Sequence, residues 1–215
     1  MPVEVFIADD HGIIRSALKT LIESQQDMVV IGEADNGLDT VQRVIELRPD
    51  VVIMDISMPG LNGTDATRQI MAVLPETRVV ILSMHHTDEH IFQAKKAGAR
   101  GYILKESAGP EIVAAIRTVT TGDYFFGNGV HEPPADYHGK GWKRSKSPLE
   151  SLSSREREVL QLVAEGRTSI EIAGILSISQ KSVETYRSRL MQKLGVENVA
   201  ALVKFAVAHG LTPSS

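Results

Sequence analysis

From residue 3 to about 121, short β-branched runs alternate with longer amphipathic stretches. Val3–Ala8, Val29–Glu33, Val51–Met54, Val79–Ser83 and Gly101–Leu104 predict strands. About Ile13–Ser24, Leu38–Leu47, Thr64–Val73, Asp88–Ala97 and Pro110–Thr121 predict helices. Runs such as Val51-Val52-Ile53-Met54 and Val79-Val80-Ile81-Leu82 are apolar on both faces, as strands of a parallel sheet covered by helices must be. Five such units make a doubly wound α/β domain over residues 1–121, whose functional residues collect at the carboxyl ends of the strands. From about Gly122 to Pro148 the pattern dissolves into Gly, Pro, His and charge, a linker in which Trp142 packs locally or lies loose. Residues 149–215 make a second domain, helical in pattern from Ser153 onward. Ser153 with Glu156 and Thr168 with Glu171 fit capping boxes that start two helices. A third runs from Gln180 to Leu194, where Gly195 can end it in the left-handed conformation, and a fourth spans about Glu197 to His209.

A chain of 215 residues is long enough for two cores. No segment approaches the roughly 20 apolar residues of a membrane helix, so no membrane partner is expected. The first strand-like run starts almost at Met1 without the features of a secretory leader, and the chain has no cysteine. Both suit a soluble protein of the reducing cytoplasm. The net charge of −4 hides an asymmetry, because residues 1–139 carry −9 and residues 140–215 carry +5. A basic C-terminal half is an electrostatic footprint for nucleic acid, although +5 alone is a weak argument.

A parallel sheet puts Asp9 and Asp10 just past the first strand and Asp55 just past the third. Ser83 then ends the fourth strand and Lys105 follows the fifth. Crowded carboxylates raise one another's pKa unless a cation neutralises them, which points to a hard divalent ion such as Mg²⁺. With a lysine and a hydroxyl beside them, the set matches the needs of phosphoryl transfer. Taken singly, Asp55 reads equally well as a helix cap and Asp9-Asp10 as a solvated turn.

The run Asp55-Ile56-Ser57-Met58-Pro59-Gly60-Leu61-Asn62-Gly63 resembles the phosphoacceptor loop of response-regulator receiver domains, and the resemblance covers about residues 3–121. It implies a five-stranded sheet in the order 2-1-3-4-5. It also implies that Asp55 accepts a phosphoryl group from a sensor histidine kinase, that Asp10, Asp55 and the Ser57 carbonyl bind Mg²⁺, and that Asp9 supports the metal through water. Lys105 would pair with the phosphoryl oxygens, Ser83 would hydrogen-bond one of them, and Tyr102 would reorient with Ser83. Two positions depart from the common pattern: Glu106 follows Lys105 where many receivers have proline, and Met84 stands where a small residue is common. The bulk of Met84 would screen the acyl phosphate from water and slow its hydrolysis.

On the helix Gln180–Leu194, a 100° projection places Val183, Tyr186, Leu190 and Leu194 on one apolar stripe. Lys181, Thr185, Ser188 and Gln192 fall opposite, with Glu184 and Arg189 at the sides. Such a face, after a short helix and a tight turn, is what a major-groove recognition helix requires. Arg187 projects near the apolar stripe, so its stem packs inward while its head reaches toward phosphate. The sequence from Leu152-Ser153-Ser154-Arg155-Glu156 through Lys181-Ser182-Val183-Glu184-Thr185-Tyr186 to Gln192-Lys193-Leu194-Gly195-Val196 is similar to the LuxR-type helix-turn-helix of the NarL/FixJ family. The similarity implies base contacts to double-stranded DNA from Lys181, Glu184, Thr185 and Ser188, and phosphate contacts from Arg189 and Lys193. Ser169-Ile170 replaces a common Asn-Lys pair, which puts a backbone contact there in doubt. The last helix, apolar on nearly every side, predicts a twofold dimer contact.

The favoured reading is a non-enzymatic DNA-binding regulator whose homodimerisation and DNA affinity rise on phosphorylation. Two rivals stand beside it. A regulator indifferent to phosphate would keep the first domain only for dimerisation. A Mg²⁺ phosphatase with an aspartyl nucleophile usually carries a second Asp two residues on, a place that His11 holds here. His85, His86 and His90 invite a metal reading, but Thr87 stands where the zinc-protease motif needs Glu.

Overall fold

The apolar runs of the N-terminal half become the strands of one twisted parallel sheet. The computed structural model of the chain describes residues 1–132, 148–208 and 211. Trp142 and most of the expected linker lie outside the described residues. The chain divides into two compact units. In the first, β1 (Val3–Ala8), β2 (Met28–Ala34), β3 (Val51–Asp55), β4 (Arg78–Ser83), β5 (Gly101–Leu104) and β6 (Phe125–Phe126) form a sheet in the order β2-β1-β3-β4-β5-β6. Between them run α1 (Gly12–Glu23), α2 (Gly37–Leu47), α3 (Gly63–Val73), α4 (Asp88–Ala97) and α5 (Ala108–Thr120).

The expected order of the first five strands holds, and among the described residues the count is corrected to six. Phe125 and Phe126 pair in parallel with Gly101 and Tyr102 at the sheet edge, inside the stretch expected as linker. Two residues are too few to show a periodicity, so the pairing is set by tertiary context.

Each strand face is covered for a reason visible in the alternation. Val5, Ile7, Val51, Ile53, Val80, Leu82 and Ile103 pack with Leu18 and Ile22 of α1 and with Ile112, Ile116 and Val119 of α5. Phe6, Val52, Met54, Val79, Ile81 and Tyr102 point the other way and are also buried. A fully buried aliphatic side chain contributes about 1.5–3 kcal/mol, so a sheet closed on both faces outweighs the cost of ordering its loops.

Register then decides where the chemistry lies. Ala8 pairs with Met54, Asp55 with Leu82, and Ser83 with Leu104. Asp9, Asp55, Ser83 and Lys105 therefore leave the sheet side by side at one edge, spaced by the roughly 4.8 Å between neighbouring strands.

The second unit holds α6 (Ser154–Ala164), α7 (Ser169–Ile175), α8 (Gln180–Leu194) and α9 (Val199–Ala208). Both expected capping boxes are formed, Ser153 with Glu156 and Thr168 with Glu171. Gly195 ends α8 at φ 66°, a conformation that costs glycine nothing. The last helix begins two residues later than expected because Asn198 caps it, its side-chain oxygen accepting the Ala201 N–H at 2.9 Å. Val159, Leu160, Ile172, Val183, Leu190, Leu202 and Ala206 are fully buried and bring all four helices into one core.

Candidate functional site

Asp9 and Asp55 are buried at the carboxyl edge of the sheet, and Asp10 is exposed beside them. Carboxylate oxygens of Asp9, Asp10 and Asp55 and a ring nitrogen of His11 all lie within 4.8 Å of one another. Lys105 enters from the end of β5. Its Nζ donates to Asp55 Oδ2 at 2.7 Å and stands 2.9 Å from Asp9 Oδ2. The second contact is an ion pair by distance but poorly aligned, so Asp9 Oδ2 is a buried oxygen without a hydrogen bond. Asp55 Oδ1 accepts the Ser57 N–H at 3.2 Å. Asp9 Oδ1 accepts the His11 N–H at 2.8 Å, and Arg15 Nη1 donates to the Asp9 carbonyl at 2.6 Å. Three of the expected metal-site side chains are thus brought together, and the Ser57 backbone adjoins them.

The electrostatics follow from this crowding. Burial holds the Asp55 carboxyl above its usual range, the Asp9 charge pushes it further up, and the Lys105 hydrogen bond pulls it back only in part. Burial acts to lower the Lys105 ammonium, yet the hydrogen bond to Asp55 and the neighbouring Asp9 carboxylate hold it above its ordinary value. One cation thus faces a group of carboxylates, an incomplete neutralisation.

The loop after Asp55 is shaped by close approach. Gly63 donates its N–H to the Ile56 carbonyl at 2.9 Å, and a Cβ at Gly63 would fall 2.0 Å from the Asp55 carbonyl oxygen. Only glycine lets α3 begin against the backbone of the acidic residue. Asn62 caps that helix by accepting the Asp65 N–H.

Ser83 and Tyr102 meet at the turn after β4. The Ser83 hydroxyl accepts the His85 N–H at 2.9 Å, and the Tyr102 hydroxyl donates to the His85 carbonyl at 2.8 Å. Burial pushes the Tyr102 hydroxyl up to about 12, while the Ser83 hydroxyl pulls the other way. A cleft of about 200 Å³ opens here, lined by Ser83, Met84, His86, Leu104, Lys105 and Glu106. Met84 is 71% exposed at its rim. The His85 and His90 rings stack at 4.7 Å, and these histidines are not part of the acidic cluster.

In the second unit, α8 presents Lys181, Glu184, Thr185, Ser188 and Arg189 as exposed residues, with Val183 and Leu190 buried beneath them. The capped, one-sided helix follows from its sequence: Ser179 accepts the Ser182 N–H at its start, and the apolar residues recur at helical spacing. Lys193 sits apart from this group. Its Nζ donates to Glu156 Oε2 at 2.7 Å and to the Ser151 carbonyl at 3.2 Å. Arg187 turns to Ser169 rather than outward, donating to its hydroxyl at 2.6 Å. His11 and Arg15 are the site neighbours that sequence reasoning missed, and Ser169, weighed there only for a backbone contact, instead meets Glu184 and Arg187. The adjacency of His11 to the aspartate pair was the one available signal.

Residues 5–117 match the response regulator receiver domain family, and residues 150–206 match the luxR family of bacterial regulatory proteins. The oxygen regulatory protein NreC of Staphylococcus carnosus is 35% identical over 214 residues, covering 97% of this chain and 99% of that protein. Among solved structures, the RcsB response regulator of Salmonella typhimurium is 28% identical, covers 96% of this chain and 98% of its own, and superposes with a TM-score of 0.58. A structure of the RcsB–DNA complex is 26% identical, covers 97% of this chain and 99% of its own, and gives 0.58. Among the described residues, no helix is long and apolar enough to cross a membrane. With a receiver match followed by a luxR match, and a relative alike over nearly its whole length, the chain belongs to the two-component response regulators of the NarL/FixJ type, transcription regulators with a LuxR-type helix-turn-helix.

Proposed function

We infer that Asp55 is the phosphoacceptor and that its charge state controls how the second unit binds DNA in the cytoplasm. A sensor histidine kinase supplies the phosphoryl group: the P–N bond of its phosphohistidine breaks as a P–O bond forms to an Asp55 carboxylate oxygen. The observation that carries this reading is a buried carboxylate whose pKa is raised, with a lysine 2.7 Å away, at the edge of a parallel sheet. Ordinary solvated aspartates have neither feature.

The acidic cluster suits Mg²⁺, because hard oxygen donors converge there and one buried oxygen of Asp9 has no hydrogen bond. Asp10, Asp55 and the Ser57 carbonyl would hold the ion, with Asp9 supporting it. When bound it supplies positive charge for the phosphoryl oxygens and screens the carboxylates from one another. The chain's own groups do the rest. Lys105 exchanges its Asp55 contact for a phosphoryl oxygen. Ser83 lets go of the His85 amide and donates its hydroxyl to another. Because Tyr102 is tied to the His85 carbonyl, moving that turn moves Tyr102, and the surface around α4 and β5 changes shape.

DNA is read by α8, through Lys181, Glu184, Thr185 and Ser188 to bases and through Arg189 and Lys193 to phosphates. Lys193 must leave Glu156 to do so. The complex of RcsB with DNA supports double-stranded DNA as the partner of this domain type. A homodimer forms through α9, where Val199 and Val207 are 37% and 41% exposed beside the buried Leu202 and Ala206. The phosphoryl group is a signal held on the chain, not a substrate turned over. Intact-mass measurement after transfer from an autophosphorylated kinase tests this. One added phosphoryl group that needs Mg²⁺ and is missing in Asp55→Asn agrees with the reading, and equal labelling of that variant contradicts it.

A further inference from the structure

In the second unit, Ser169 and Arg187, which have no part in the contacts assigned above, cluster around Glu184, which does. Ser169, the first residue of α7, is only 8% exposed. Its hydroxyl donates to Glu184 Oε1 and accepts from Arg187 Nη1 at 2.6 Å. Arg187 Nη1 also lies 3.6 Å from that carboxylate oxygen, and its side chain is 20% exposed against 56% for Glu184. The capping box of Thr168 and Glu171 fixes the start of α7 and thereby fixes Ser169. Two helices thus bracket one oxygen of a carboxylate that stands on the exposed face of α8. Its other oxygen, Oε2, makes no hydrogen bond among the described residues.

Physical chemistry gives such an arrangement a use. A free glutamate approaching DNA is repelled by phosphates and must freeze its rotamers on contact. Here Arg187 offsets part of the charge and Ser169 fixes the rotamer before DNA arrives. What remains is an acceptor without a donor, facing outward. The major groove offers donors only at the exocyclic amines of cytosine and adenine, and a carboxylate pairs best with cytosine N4. We propose that Ser169 and Arg187 are positioning residues that aim Glu184 at the amino group of a cytosine in each half-site. This rests on the reading of α8 as the recognition helix.

The test uses the full chain and a library of duplexes with a randomised stretch, scored for base preference at every position. Wild type should fix a G·C pair at one position per half-site, and Glu184→Gln should move that preference toward A·T. Ser169→Ala should flatten the preference at that position alone by about fivefold, the worth of a hydrogen bond of roughly 1 kcal/mol. Its dependence of affinity on salt should stay as in wild type, because phosphate contacts are untouched. Ser169→Thr, which keeps the hydroxyl, should restore the preference. A Ser169→Ala profile identical to wild type, or a uniform loss of affinity with a lowered Tm, overturns the proposal. If Lys181→Ala and Arg189→Ala weaken binding while Ser169→Ala changes nothing, the bracket alone fails. If neither of those two variants affects binding, the recognition-helix reading fails and takes the bracket with it.

Discussion

At the scale of single residues, burial sets the surroundings of the Asp55 carboxyl against its charged form. Its folded pKa lies above the unfolded value, so protonation favours the native state. The stability it contributes is full below the usual carboxylate range and is lost as pH rises through the folded pKa. At pH 7 without metal, Asp55→Asn should therefore raise Tm. Mg²⁺ should stabilise wild type and leave the variant nearly unchanged, as thermal melts with and without chelator would show. Gly63 makes the opposite prediction. A Cβ 2.0 Å from the Asp55 carbonyl must displace the acceptor loop, so Gly63→Ala should cost about 1–3 kcal/mol in chemical denaturation and slow phosphoryl uptake. Met84 is exposed at the rim of the cleft; if its bulk shields an acyl phosphate on Asp55 as proposed, Met84→Ala should shorten the lifetime of phospho-Asp55 several-fold in a dephosphorylation time course. The acidic residues were legible because strands ending in Asp, Ser or Lys must deliver them to one edge. The roles of His11, Arg15 and Ser169 were not, since each depends on a side-chain contact that only packing creates.

Elements were legible in proportion to their periodicity. β1, β5 and α4 have the bounds their apolar spacing predicts, and α8 does too because a serine cap and a glycine stop bracket it. β6 was invisible at two residues, and α5 starts before Pro110 because a proline in the first turn lacks only an N–H that has no partner there. The capping box of α6 does more than start a helix. Burial acts to raise the Glu156 carboxyl, yet Lys193 and the Ser153 groups hold it below its ordinary value. The stability it contributes is present above the unfolded pKa and disappears as pH falls through the folded one. Glu156→Gln should cost about 0.5–2 kcal/mol at pH 7, the usual range for a lost cap, with the gap to wild type closing in acid. On α9, Val207→Lys should leave Tm near wild type and weaken self-association of the phosphorylated protein, read by analytical ultracentrifugation.

The whole molecule joins an acidic unit to a basic one, and the charge division along the chain already announced two kinds of partner. Each unit has its own core, so the sheet can change shape at its edge without unfolding, while the helical unit keeps its reading face intact. Coupling them requires little energy: a tenfold change in affinity corresponds to about 1.4 kcal/mol, within reach of a few charge-assisted hydrogen bonds to a phosphoryl group. The direct measurement is the affinity of the full chain for its selected duplex, in Mg²⁺, with and without a small acyl phosphate donor, for wild type and Asp55→Asn. A gain of about tenfold or more in wild type and none in the variant is the predicted result. Equal affinities in all four conditions would contradict the account.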